Sequence, residues 1–209
     1  MRRRIVSILA VVAAAVLVAG CADSGFHYVK SSADKTYFKV PQDWTLYDEG
    51  AVLDFLGDKL TDAERLNEIA DTWRVAFDAA PKPSLRHLGT ARADYPAGLA
   101  VVRSLNFDAA DTVSNETLRN IFFDVDVGLE DGSAEMLAYD TLELDGGFRG
   151  IRFVARLDQD GAPMTINQTV LLDQATTKLY GLVLACSDVC YEDHRTKIEK
   201  VAESWTVRD

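Results

Sequence analysis

AEMLAYDTLEL-DGG-FRGIRFVARL-DQDG-APMTINQTVLLD, residues 134–173, reads as three extended runs, about Ala134 to Leu144, Phe148 to Leu157 and Pro163 to Asp173. Between them, Asp145-Gly146-Gly147 and Asp158-Gln159-Asp160-Gly161 are hairpin signals, because Asp and Gly tolerate the positive φ that tight turns require. Runs joined this closely are expected to be antiparallel neighbours. The apolar run Lys178 to Ala185 supplies a further strand. Behind it, Glu192 to Glu203 has helical periodicity with Ile198, Val201 and Ala202 on the inward side. Trp205-Thr206-Val207 is a short terminal extension.

Working back from this block, Gly98 to Phe107 reads as a strand, and Ser114-Asn115-Glu116 opens a helical stretch carrying Leu118, Ile121 and Phe122 on one side. Trp73 to Phe77 alternates as a strand that Pro81-Lys82-Pro83 ends. Thr61-Asp62-Ala63-Glu64 has the capping-box pattern, with Leu60, Ala63, Leu66, Ile69 and Ala70 at helical spacing around it. Tyr37-Phe38-Lys39-Val40 is a short strand broken by Pro41, and Trp44 to Tyr47 resumes an extended run. Strands joined by hairpins, with helices near the front, middle and end, predict an α+β fold: an antiparallel sheet with helices packed on its faces.

The chain has 209 residues, 48% hydrophobic and 26% charged, which excludes wholesale disorder and fits one domain. Lys+Arg is 22 against Asp+Glu 33, a net charge of -11. So acidic a chain lacks the attraction to phosphate that nucleic-acid binders depend on, and no nucleic acid is expected as partner.

The N-terminus reads as an address. Arg2, Arg3 and Arg4 precede an apolar run from Ile5 to Ala19 that only Ser7 interrupts. Fifteen residues of helix reach about 22 Å, short of a hydrocarbon core of about 30 Å, so a cleaved signal fits better than a permanent span. Leu17-Val18-Ala19-Gly20-Cys21 resembles the lipobox of bacterial lipoproteins. That resemblance implies a signal peptide over residues 1–20, acylation of Cys21, and attachment to the outer side of the bacterial cytoplasmic membrane. Losing three arginines would leave 19 basic residues against 33 acidic ones, a net charge of -14, so the lipid is expected to hold the protein against repulsion by anionic headgroups. Residues 21–35 (CADSGFHYVKSSADK) are polar and small and are expected to be a mobile tether, with a single domain over 36–209.

With Cys21 assigned to lipid, Cys186 and Cys190 remain as a pair in an oxidising compartment. A structural disulfide at a strand-to-helix corner is the preferred reading. A thioredoxin-type redox pair would have two intervening residues rather than three, and a zinc site would need further ligands at suitable spacing.

Tyr37-Phe38-Lys39-Val40-Pro41-Gln42-Asp43-Trp44 and the closing segment, Lys178 to Val183 with Ile198, Val201, Ser204 and Trp205 to Val207, together resemble PsbP-like domains and the LpqN-type lipoproteins of actinobacteria. The resemblance spans Thr36 to Asp209 and implies an α/β/α sandwich serving as an accessory or scaffold module, with no shared catalytic set. The same residues have a plain structural meaning as core and turn positions, with Trp44 burying its ring over a strand end.

Chemistry is sparse. No Gly-x-Ser-x-Gly, Ser-x-x-Lys or phosphate-cradling loop occurs. His27, His87 and His194 are scattered and read as solvated side chains. Asp124, Asp126 and Glu135 stand at the first, third and twelfth positions of a calcium-loop pattern, but Gly128 and Leu129 occupy the fifth and sixth, so a solvated acidic turn is expected. No cofactor or metal is expected. The reading is a non-enzymatic, lipid-anchored envelope module that binds a protein or envelope component. A carrier of lipid or a small apolar ligand is the alternative, and an envelope hydrolase the more distant one.

Overall fold

A computed structural model describes residues 25–56 and 71–208. Ten strands lie among them: β1 (Phe26–Ser31), β2 (Thr36–Pro41), β3 (Thr45–Tyr47), β4 (Thr72–Asp78), β5 (Ala97–Ser104), β6 (Ala134–Glu143), β7 (Arg149–Gln159), β8 (Ala162–Leu172), β9 (Lys178–Ser187) and β10 (Thr206–Val207). The helices are α1 (Glu49–Leu56), α2 (Phe107–Asp111), α3 (Asn115–Arg119), α4 (Val125–Asp131) and α5 (Asp188–Glu203), with single 3-10 turns at Leu85–His87 and Asp145–Gly147.

The strands β6 to β8 pair antiparallel as the two turn signals predict, and β9 extends the meander by pairing antiparallel with β8. Asp160 and Gly161 carry φ of 56° and 79°, the left-handed geometry that a two-residue hairpin requires. Strand β9 then pairs with β5, which continues through β4 to β3, giving a seven-stranded sheet of order β3-β4-β5-β9-β8-β7-β6. At its outer edge β6 slips register between Met136 and Ala138, and Leu137 and Tyr139 beside the slip are exposed.

Alternate residues of β9 divide between two apolar clusters, because successive side chains of a strand point to opposite faces. Leu182, Leu184 and Cys186 join Cys190, Tyr191, Ile198, Val201 and Ala202 of α5 on one face. Val183 and Ala185 join Ile151, Phe153 and Ile166 on the other, covered by Leu118 of α3 and Val125 of α4. Helices on both faces make this the α+β sandwich that the pattern predicts.

A second sheet, order β1-β2-β10, lies over α5. Here the expected tether is corrected: Phe26 to Lys35 are not a leash but a strand and its turn. Val29 is buried, Phe38 and Val40 are fully buried, and β1 pairs with β2 along its whole length. The composition reads as a solvated linker because the two buried residues of β1 are Val29 and Ser31, only one of them apolar. The folded unit thus includes the ten residues before Thr36. The capping-box helix expected at 60–71 and the lipobox with Cys21 lie outside the described residues, apart from Asp71.

Candidate functional site

Strand β9 ends and α5 begins at a corner shaped by local residues. Ser187 is the N-cap of α5, its hydroxyl accepting from the Cys190 N–H, and its own N–H donates to the Ala93 carbonyl. This places the Cα atoms of Cys186 and Cys190 5.9 Å apart, and the two sulfurs are bonded. Both residues are buried, so the bond is a staple inside the core. Closing so short a loop contributes only about 2 kcal/mol on the chain-entropy model. Asp188, in the first turn of α5, accepts from Arg156 at 2.6 Å and from the Thr165 hydroxyl, while Arg156 also reaches Glu135 at 2.9 Å.

His87 departs from the solvated side chain expected of it. At the end of β4 the Asp78 side chain is 2% exposed and accepts from the N–H groups of Ala80 and Ser84 at 2.9 and 2.7 Å. His87 Nδ1 meets the same carboxylate at 2.7 Å. A hollow of about 340 Å³ opens beside the ring. Its lining residues are 80–82, 87 and 92–95. The Asp–His pair fixes the loop over 79–88. Asp78→Ala would leave two backbone donors and the imidazole without their acceptor. It is expected to cost about 2–4 kcal/mol in urea unfolding, against well under 1 kcal/mol for His87→Ala.

His194 stacks on Tyr95 with centroids 6.1 Å apart, and His27 lies in β1, partly buried. The acidic segment 124–132 is helical over Val125–Asp131 rather than an open turn. Asp126 is held by Arg119 through two hydrogen bonds of 2.6 and 3.2 Å and by the Asn120 amide at 2.9 Å. The Arg119 hydrogen bond keeps its carboxyl below the usual carboxylate range. Asp131 accepts from the Ser133 N–H, and Glu135 is committed to Arg156. Among the described residues no group of three or more His, Cys, Asp or Glu side chains could hold a metal ion.

A cleft of about 750 Å³ lies on the sheet face opposite α5, between α1 and the segment after α3. Leu53, Val101, Ile121, Phe122 and Leu179 line it together with Arg74 and Arg103. Phe122 packs on bare backbone here, since a Cβ on Gly181 would stand 2.8 Å from its ring. The helix expected to carry Leu118, Ile121 and Phe122 stops at Arg119, and only Leu118 of the three is fully buried.

The small sheet has one buried face and one outer face. Phe26, Tyr28 and Lys30 of β1 lie on the outer face, with Tyr28 opposite Lys39 and Lys30 opposite Tyr37 of β2. Lys39 Nζ is 5.8 Å from the Phe26 ring centroid and 5.5 Å from that of Tyr28. The Arg208 guanidinium lies 5.5 Å from the Tyr37 ring. No helix of the described residues is long and apolar enough to cross a membrane.

No family model and no curated protein matches the chain. Solved structures do. The cyanobacterial PsbP (CyanoP) of Synechocystis sp. PCC 6803 is 14% identical, with a TM-score of 0.55, covering 90% of this chain and 96% of its own. LpqN, involved in cell envelope biogenesis of Mycobacterium tuberculosis, is 13% identical with a TM-score of 0.48, covering 88% of this chain and 91% of its own. At such identities the likeness to CyanoP shows the fold: a PsbP-like α+β sandwich, as the two sequence stretches implied.

Proposed function

We propose that the chain is a bacterial envelope lipoprotein, held by an acylated Cys21 to the outer side of the cytoplasmic membrane, whose folded unit is a non-enzymatic accessory or binding module for a protein or envelope component. The observation that carries this reading is the order of features at the N-terminus: three arginines, an apolar run, Leu17-Val18-Ala19-Gly20-Cys21, and then a folded unit whose first strand starts at Phe26. A bonded Cys186–Cys190 pair suits an oxidising compartment. The polar clusters of the described residues support a non-catalytic role, because Asp78 with His87, Asp126 with Arg119, and Asp188 with Arg156 are each committed to internal contacts.

Cys21→Ala tests the anchor. On fractionation of cells the wild type is expected in the membrane pellet with an intact mass showing acyl chains, and the variant is expected without them and largely in the soluble fraction. A variant that stays in the pellet to the wild-type extent, or an unmodified wild-type sulfur, would refute the anchor. Crosslinking in the native membrane would then identify what the module touches.

A further inference from the structure

We propose that the outer face of the three-stranded sheet rests on the anionic headgroup surface of the membrane, so that the protein is oriented on the bilayer as well as tied to it. The charge distribution is the first argument. In a chain with 33 acidic residues, β1, β2 and β10 contain no carboxylate. Their outer face and its margins instead collect Lys30, Lys35, Lys39 and Arg208 around three aromatic rings, Phe26, Tyr28 and Tyr37, while the marginal carboxylates are Asp34, paired with Lys178, and Asp173. Tyr28 is 51% exposed. A shallow hollow of about 400 Å³ runs between Tyr28, Tyr37, Lys30, Lys35 and Arg208.

Aromatic rings with a polar edge, flanked by long cationic side chains, are the chemistry that settles at a headgroup layer: the rings sit at the interface while ammonium and guanidinium groups meet phosphate. The overall negative charge does not cancel this. Exposed charges farther than about 10 Å are largely screened at physiological salt, so the local face decides the contact.

Reach is the second argument. From Cys21 to Phe26 the chain can span at most about 18 Å even when fully extended. Phe26 is itself an outer-face residue at the start of β1. The face where the chain enters the fold is therefore the face that an acylated Cys21 would bring to the bilayer. The proposal rests on the anchor for this delivery, and on charge complementarity for the contact itself.

The test uses the mature protein purified from its host membranes and reconstituted on two kinds of vesicle, phosphatidylcholine alone and phosphatidylcholine with about one-third phosphatidylglycerol. Lysine labelling by a water-soluble acylating reagent, read by peptide mass spectrometry, reports each amine. On the anionic vesicles labelling of Lys30, Lys35 and Lys39 is expected to slow at least about fivefold relative to neutral vesicles, with Lys82 in the loop after β4 unchanged, and about 0.5 M salt should reverse the effect. Lys30→Glu with Lys39→Glu should abolish the difference, with far-UV circular dichroism and the thermal midpoint showing that the fold persists. Equal labelling on both vesicles, a difference that survives the charge reversal, or protection that needs an added envelope protein would each overturn the proposal. Intact mass of the same sample reads acylation separately. If Cys21 were unmodified, co-flotation with anionic but not neutral vesicles would still decide for or against the face.

Discussion

Phe77→Ala is expected to lower the free energy of unfolding by about 3–5 kcal/mol, the range for removing a large aromatic side chain from a core. The ring is 0% exposed. Its centroid lies 5.8 Å from that of Phe38, tilted, and 5.9 Å from that of Trp44, stacked, so it joins the small sheet, the β2–β3 corner and the main sheet. It also lies directly over Gly98 in the neighbouring strand, where a Cβ would stand 2.3 Å from a ring carbon and 2.8 Å from the Val183 carbonyl oxygen. Urea unfolding followed by tryptophan fluorescence would measure the loss. The glycine adds a second reading. Gly98→Ala alone must displace the ring, whereas in the Phe77→Ala background only the carbonyl contact remains, so the double variant is expected to be less destabilised than the sum of the two. Strict additivity, or a Phe77→Ala loss below about 1 kcal/mol, would show that the ring is not the joint described here.

Gly150→Ala is expected to be more damaging than the ordinary overpacking cost of about 1–3 kcal/mol, because the obstacle is backbone and cannot rotate away. A Cβ at this position in β7 would fall 2.0 Å from the Val170 carbonyl oxygen and 2.8 Å from the Leu171 Cα in β8. Relief requires parting two paired strands at the heart of the meander. Little soluble folded protein is expected, and what is obtained should unfold at a markedly lower urea midpoint. A wild-type midpoint would mean that the strands separate there at little cost.

The contrast between these glycines and the turn glycines marks what a sequence can disclose. Gly146, Gly147 and Gly161 sit beside aspartates between alternating runs, and their positive φ follows from local chemistry, so the pairing of β6, β7 and β8 is legible in the sequence. Gly98, Gly150 and Gly181 are required by what arrives from elsewhere in the chain, namely Phe77, Val170 and Phe122, and no neighbouring residue announces them. The pairing of β5 with β9 was invisible for the same reason, since both strands are apolar on both faces and carry no turn to set their order. Trp44, Ile198 and Val201 were placed correctly in the core because periodicity or a strand end fixes them. His87 was misjudged because its partner lies nine residues away across a loop containing Pro81 and Pro83, a separation that no periodicity links. The outer face of β1 is not legible in the sequence because its residues alternate with His27, Val29 and Ser31, of which only the valine is apolar, and so resemble a linker.

The irregular pairing of β6 bears on how copies of the chain coexist. The outermost strand of a sheet offers unmatched N–H and C=O groups to any neighbour, and at high concentration two such borders can meet and zip together. The slip between Met136 and Ala138 twists that border away from the straight geometry a second chain could copy. Asp140 and Glu143 place charge along the same strand, a further obstacle to edge pairing. Restoring a straight ladder by deleting Leu137 would strip out that safeguard and favour edge-to-edge association of copies.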